Sequence, residues 1–183
     1  MRNVITKRQW WVAAAALIAA VALGAIAAPV TPKAQEPPLV PWTAVLSTFS
    51  PDEDTLPIFS FIGPWFSYLP GNNSLNPLTA RHNVESPSRF EPKPGWSELE
   101  LTSHVPAAGS FAQATLFRVE PCTGLQQEIC TTTNFGSDHP VCTTCDFAPE
   151  EIDFAHYLYY VRVVLDRADQ PDPPRAAGVR LIP

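Results

Sequence analysis

The stretch from Phe154 to Leu165 limits the possible folds more than any other part of the chain. Ala155, Tyr157, Tyr159, Val161, Val163 and Leu165 fall on one face by strict alternation, and His156, Tyr160, Arg162 and Val164 on the other. A period of two is that of a strand with one buried face. A helix does not fit, because β-branched and aromatic side chains dominate and these suit a pleated, half-buried surface. The length and the clean face predict a central strand of a sandwich.

Other segments point the same way. Ser97 to Thr102 alternates, with Leu99 and Leu101 on one face and Glu98 and Glu100 on the other. Phe111 to Glu120 is a second strand, with Ala112, Ala114 and Leu116 opposed to Thr115, Phe117 and Val119. Both of its faces are apolar, so the pattern does not say which points inward. Gly178 to Ile182 reads as a short last strand with Val179 and Leu181 on one side. Residues 42–80 are aromatic and broken by proline, with short strands expected at 43–49, 57–62 and 65–69. Gly71-Asn72-Asn73 is a turn signal. Residues 81–95 and 166–177 read as loops.

Proline decides against helices. The chain has 21 prolines, and each one in a helix interior removes a hydrogen bond and clashes with the preceding turn. No helical period appears in residues 42–183, and no internal repeat supports a propeller or solenoid. The expected fold class is all-β, a single β-sandwich or jelly-roll-like domain following an N-terminal signal helix.

The N-terminus sets the compartment. Arg2, Lys7 and Arg8 precede an apolar run from Val12 to Ala28, and Ala25-Ile26-Ala27 offers a small-residue cleavage site. This is the pattern of a secretory signal. The expected organisation is a signal peptide at 1–27, a proline-rich linker at 28–41 and a β-sandwich domain at 42–183. The competing expectation is an uncleaved anchor, since the run lies at the lower limit for spanning a bilayer. No cysteine directly follows the run, so no lipid anchor is indicated.

Charge excludes some partners. The chain has 12 Lys+Arg and 18 Asp+Glu. Three of the basic residues and none of the acidic ones lie in the signal, so the remainder carries 9 minus 18, or −9. Nucleic acid requires a basic stripe that releases counterions, and none exists. An anionic membrane surface is disfavoured for the same reason, which leaves membrane contact only through an uncleaved signal.

Ile152 to Val161, followed by a long loop and Gly178-Val179-Arg180-Leu181, resembles the ending of small exported bacterial proteins with no assigned activity. Phe49-Ser50-Pro51 and Ala114 to Val119 fit the same outline. The resemblance covers most of residues 43–182, rests on structural motifs, and implies a single β-sandwich. The cysteine-bearing segment departs from that outline.

Cys122, Cys130, Cys142 and Cys145 are close in sequence, and in an exported chain they read as two disulfides. One pairing joins Cys122 to Cys130 across a hairpin end and Cys142 to Cys145 as a tight bridge. The rival is nested, with Cys130–Cys145 closing the turn around Phe135 to Pro140. Two weaker readings use the same residues. Cys142, Cys145, Cys122 or Cys130, and His139 offer soft zinc ligands, without the second CxxC of a typical zinc site. A redox dithiol lacks the helix N-terminus that lowers a thiol pKa. His82, His104 and His156 are isolated, with surface or boundary positions expected. Asp52-Glu53-Asp54 and Asp166, Asp169 and Asp172 read as solvated acidic loops, with calcium as the sharper alternative. Ser110 has no nucleophile setting, and Asn72-Asn73-Ser74 matches a glycosylation sequon.

The expectation for function is an exported, non-enzymatic cell-envelope or secreted module, periplasmic or at the cell surface, binding a glycan or a protein partner. The aromatics of residues 59–68 are its candidate patch. No cofactor is implied. The alternative is a secreted hydrolase on a jelly-roll scaffold, which would need convergent acids or a metal triad.

Overall fold

The computed structural model describes residues 39–88, 92–168 and 172–183. The expected signal peptide, nearly all of the linker and Asp169 lie outside the described residues.

The described chain forms eleven strands in two antiparallel sheets: β1 (Trp42–Val45), β2 (Ser50–Pro51), β3 (Phe59–Ile62), β4 (Trp65–Tyr68), β5 (Leu78–Val84), β6 (Glu98–His104), β7 (Phe111–Val119), β8 (Gln126–Asn134), β9 (Val141–Asp146), β10 (Leu158–Asp166) and β11 (Arg175–Ile182). The helical elements are two short 3-10 turns, Leu46–Thr48 and Pro149–Glu151. One sheet has the order β3-β4-β11-β6-β9, with β1 also on β11, and the other the order β2-β5-β10-β7-β8. The all-β sandwich expected from the alternation is therefore the fold.

β10 is central as predicted, flanked by β5 and β7. Val161, Val163 and Leu165 are fully buried and Tyr159 nearly so. Each such aliphatic side chain contributes about 1.5–3 kcal/mol on burial. The strand begins at Leu158, however, and not at Phe154. Asp153 turns the chain first: its carbonyl accepts from the N–H groups of His156 and Tyr157, and its Oδ1 from Ala155 N–H. Residues 154–156 are spent in that turn.

The ambiguous strand β7 resolves through its register. Ala112, Ala114 and Leu116 pair with Leu165, Val163 and Val161 and so face the core. Phe117 is buried on the opposite face, stacked on Tyr160 at 5.0 Å and covered by the Arg162 guanidinium at 4.7 Å from its ring.

Other strands also depart from the sequence expectation. β5 overlaps the expected loop at 81–95, with Leu78, Ala80 and Val84 inward. At the inward position between Ala80 and Val84, where alternation would ask for an apolar residue, stands His82, packed against the rings of Trp42 and Phe49. β8 and β9 are edge strands rich in Thr and Gln. The loop expected at 166–177 is also shorter than its composition suggests, because β11 begins at Arg175 and not at Gly178. β11 changes partner along one edge: Arg175 and Ala176 pair with β4, and from Gly178 onward the strand pairs with β1.

Candidate functional site

The site grows out of the end of β4. Trp65 to Tyr68 pair with β3 on one side and, at Phe66 and Ser67, with β11 on the other. Phe66 and Tyr68 point into the core, while Trp65 stays half-buried. The chain then turns through Gly71 at φ 77°, a left-handed conformation suited to glycine. Asn72 N–H donates to the Leu69 carbonyl at 3.0 Å, and Asn72 Oδ1 accepts from Ser74 N–H at 2.7 Å. The sequon-matching segment is thus a turn.

Arg167 holds this turn. Its Nε donates to the Ser74 carbonyl and its Nη2 to the Asn72 carbonyl, both at 2.6 Å. The guanidinium lies 4.2 Å from the Tyr68 ring centroid and the residue is only 4% exposed. The Tyr68 hydroxyl lies 3.0 Å from the Asn76 carbonyl and 3.1 Å from that of Leu165. Burial, with the nearby Asp166 charge adding to it, pushes the Tyr68 pKa up to about 12. This hydroxyl stays protonated at physiological pH and serves structure.

On the neighbouring strands, Arg175 opens β11 directly opposite His104, which ends β6. Arg175 Nε donates to His104 Nδ1 at 3.1 Å, and its guanidinium lies 4.9 Å from the Trp65 ring. An accepting Nδ1 assigns the imidazole proton to Nε2. That Nε2 is buried and has no hydrogen-bond partner among the described residues. Neither Arg167 nor Arg175 belongs to any ion pair among the described residues.

These groups line one cleft of about 400 Å³ at the ends of β4, β11 and β6. Ile62 and Leu69 add apolar walls, exposed at 54% and 44%. Asp172 is the one carboxylate among the described lining residues. The cleft therefore presents an apolar side and several hydrogen-bond donors together, a combination typical of small-ligand sites. The expected aromatic patch contributes Trp65 to it. Phe59 and Phe61 pack on Phe66 instead. Arg167, Arg175 and His104 are not among the site residues the sequence suggests. The only sequence signal for the arginines is that they flank a Pro- and Asp-rich segment.

The cysteines lie elsewhere. Cys130 and Cys145 form a disulfide, while Cys122 and Cys142 are exposed free thiols. This is the nested bridge; the other pairing, and the expectation that all four cysteines are bonded, are corrected. Val119 pairs with Gln126 near the hairpin turn, and Cys130 sits four residues further, opposite Leu116. At about 3.4 Å per residue it is too far from Cys122 for a bridge, which needs Cα atoms within about 7 Å. Cys142 and Cys145 are three apart on β9 and so face opposite ways, Cys142 outward and Cys145 inward. Of the thiols in the zinc reading, Cys130 and Cys145 are bonded to each other, and among the described residues no three His, Cys, Asp or Glu side chains are grouped as metal ligands.

The remaining candidates are structural. His139 is exposed beside Asp138, and His156 caps the Asp153 turn. Asp52 pairs with Arg81 at 3.1 Å. Ser110 is buried, with its Oγ accepting from Ala168 N–H at 3.0 Å.

No family model and no curated protein matches the chain. Solved structures give weak likenesses. A xylan-binding module, CBM15, is 13% identical with a TM-score of 0.37, over 77% of this chain and 94% of that one. A structure of the Gx strain of infectious bursal disease virus is 11% identical with a TM-score of 0.35, over 77% of this chain and 32% of that one. Likeness at this level has no bearing on ligand or activity.

Proposed function

We propose that the chain is an exported, non-enzymatic module of the cell envelope or secreted fraction that binds a glycan in the Trp65–His104–Arg175 cleft. The observation that carries this reading is the pairing, in one cleft, of apolar walls from Trp65, Ile62 and Leu69 with the guanidiniums of Arg167 and Arg175. A sugar ring has the matching character, with a C–H face that packs on indole and hydroxyls at its edges. The walls are built on strand ends and on a turn tied down by Arg167, so the site is preorganised, which lowers the ordering cost of binding. The hydrolase reading needs convergent acids or a metal triad, and Asp172 is the one carboxylate among the described lining residues. Export is supported by the signal-like N-terminus and by the Cys130–Cys145 bridge, which suits an oxidising compartment.

The test is affinity electrophoresis of the purified chain through gels containing soluble neutral and acidic polysaccharides. Retardation by at least one glycan is expected. It should be lost in Trp65→Ala while the melting temperature changes little, since Trp65 is only half-buried. Failure of every glycan to retard the protein, or full retardation of Trp65→Ala, would overturn the reading.

A further inference from the structure

The lining of the cleft narrows the ligand beyond a sugar in general. On the glycan-binding reading given above, we infer that the ligand carries a carboxylate, as in a uronic acid unit, which is held by Arg175 and Arg167.

Charge points this way first. Outside the signal the chain carries −9, a background that repels anions. Against it, one cleft gathers two guanidiniums that have no ion-pair partner among the described residues. The four ion pairs that arginine or lysine makes elsewhere in the described chain show that carboxylates are available to cations where structure alone is served.

Desolvation adds to it. Arg167 is 4% exposed, and the two groups that accept its hydrogen bonds are neutral carbonyls. A buried charge is costly unless it is paired and hydrogen-bonded. An anion in the cleft supplies the missing opposite charge.

Hydrogen-bond polarity agrees. Arginine has donors only, and the acceptor atom of His104 is already taken by Arg175. The Nε2–H on its far side is covered by the protein, so the imidazole serves to hold Arg175. Two guanidiniums that can only donate suit a ligand group that only accepts, and an ionised carboxylate is such a group.

The apolar walls separate a sugar carboxylate from a bare inorganic anion. Trp65, Ile62 and Leu69 give sulfate or phosphate nothing to contact, whereas the ring that bears a uronate carboxyl covers them. Asp172 remains as an acceptor for a ring hydroxyl.

Titration calorimetry tests this with oligogalacturonate and with a neutral oligosaccharide of equal length, each against the native chain and against Arg175→Gln. The uronate is expected to bind about tenfold or more tightly than the neutral oligomer, the scale of one charge-assisted contact. That preference should shrink with added salt and vanish in Arg175→Gln, whose far-UV spectrum should match that of the native chain. His104→Ala, which removes the Nδ1 that positions Arg175, provides a second variant should Arg175→Gln misfold, and it too should diminish the preference. Equal affinity for the two oligomers, or an undiminished preference in a folded variant, would overturn the carboxylate inference and leave glycan binding standing. Sulfate binding as tightly as the uronate would overturn the saccharide part. Binding of no glycan at all would overturn the parent reading as well.

Discussion

Cys130 and Cys145 are bonded across the gap between the two sheets, one from the edge strand β8 and the other from the edge strand β9. Both lie on inward faces of their strands. The bridge staples one open side of the sandwich. It leaves the cleft, at the ends of β4, β11 and β6, untouched.

Removing that staple should weaken the domain without dissolving it. A loop of this length contributes about 3 kcal/mol by chain-entropy reasoning. Replacing Cys130 and Cys145 by Ser should lower the melting temperature and the denaturant midpoint while the β-type dichroism persists. Thiol titration of the native protein should find two reactive groups, Cys122 and Cys142. A random-coil spectrum for the double variant would show that the core is weaker than its burial implies.

The face assignment of β10 is tested by two adjacent substitutions. Val161→Asp places a carboxylate where no surface is exposed, at a cost of several kcal/mol, and should prevent folding. Arg162→Ala acts on the outer face, uncovering Phe117, and should cost about 1 kcal/mol. Chemical denaturation distinguishes them, and equal stability would refute the assignment.

Tyr159→Phe isolates one polar contact in the core. The Tyr159 hydroxyl accepts from Asp153 N–H at 2.7 Å and donates to the Glu151 carbonyl at 2.9 Å. Burial raises the Tyr159 pKa. Losing the hydroxyl leaves both backbone groups short of a partner, which should cost about 1–3 kcal/mol. A denaturation midpoint unchanged from the native one would show that water replaces the hydroxyl at no cost.

Acid should weaken the same turn. Burial by itself raises the Asp153 pKa, but hydrogen bonds from His156, Lys93 and Ala155 N–H outweigh it and hold the carboxyl below its ordinary value. A group with a depressed native pKa adds stability above its unfolded pKa and loses it as pH falls through the native value. The contribution of Asp153 is therefore complete above roughly pH 5 and fades below about pH 4. Asp153→Asn should show a shallower loss of stability with acid. Identical slopes for the two proteins in melting series from pH 6 to pH 2 would contradict this.

The strands that are legible in the sequence are those whose inward positions are mostly large and apolar. Val161, Val163 and Leu165 alternate with Tyr160, Arg162 and Val164, and Leu99 and Leu101 alternate with Glu98 and Glu100. β8 is hidden because its inward positions are Cys130, Thr132 and Asn134, to which a hydrophobic period is blind. Asn134 is tolerated there because its amide donates to the Ser103 and Ser137 hydroxyls, and those partners are set by folding. The cleft is half legible. Trp65 stands out as an aromatic, but Arg175 meets His104 from 71 residues away and Arg167 meets Ser74 from 93. No local pattern encodes such meetings.

β11 lies C-terminal to every strand it joins. It pairs with β1, β4 and β6, and Trp42 meets Leu181 across nearly the whole described chain. A polypeptide emerging from any channel N-terminus first holds β1, β4 and β6 before the strand that unites them exists. Closing so long a loop is entropically slow. The sheet that holds the cleft therefore cannot close until β11 emerges, and only then does His104 meet Arg175.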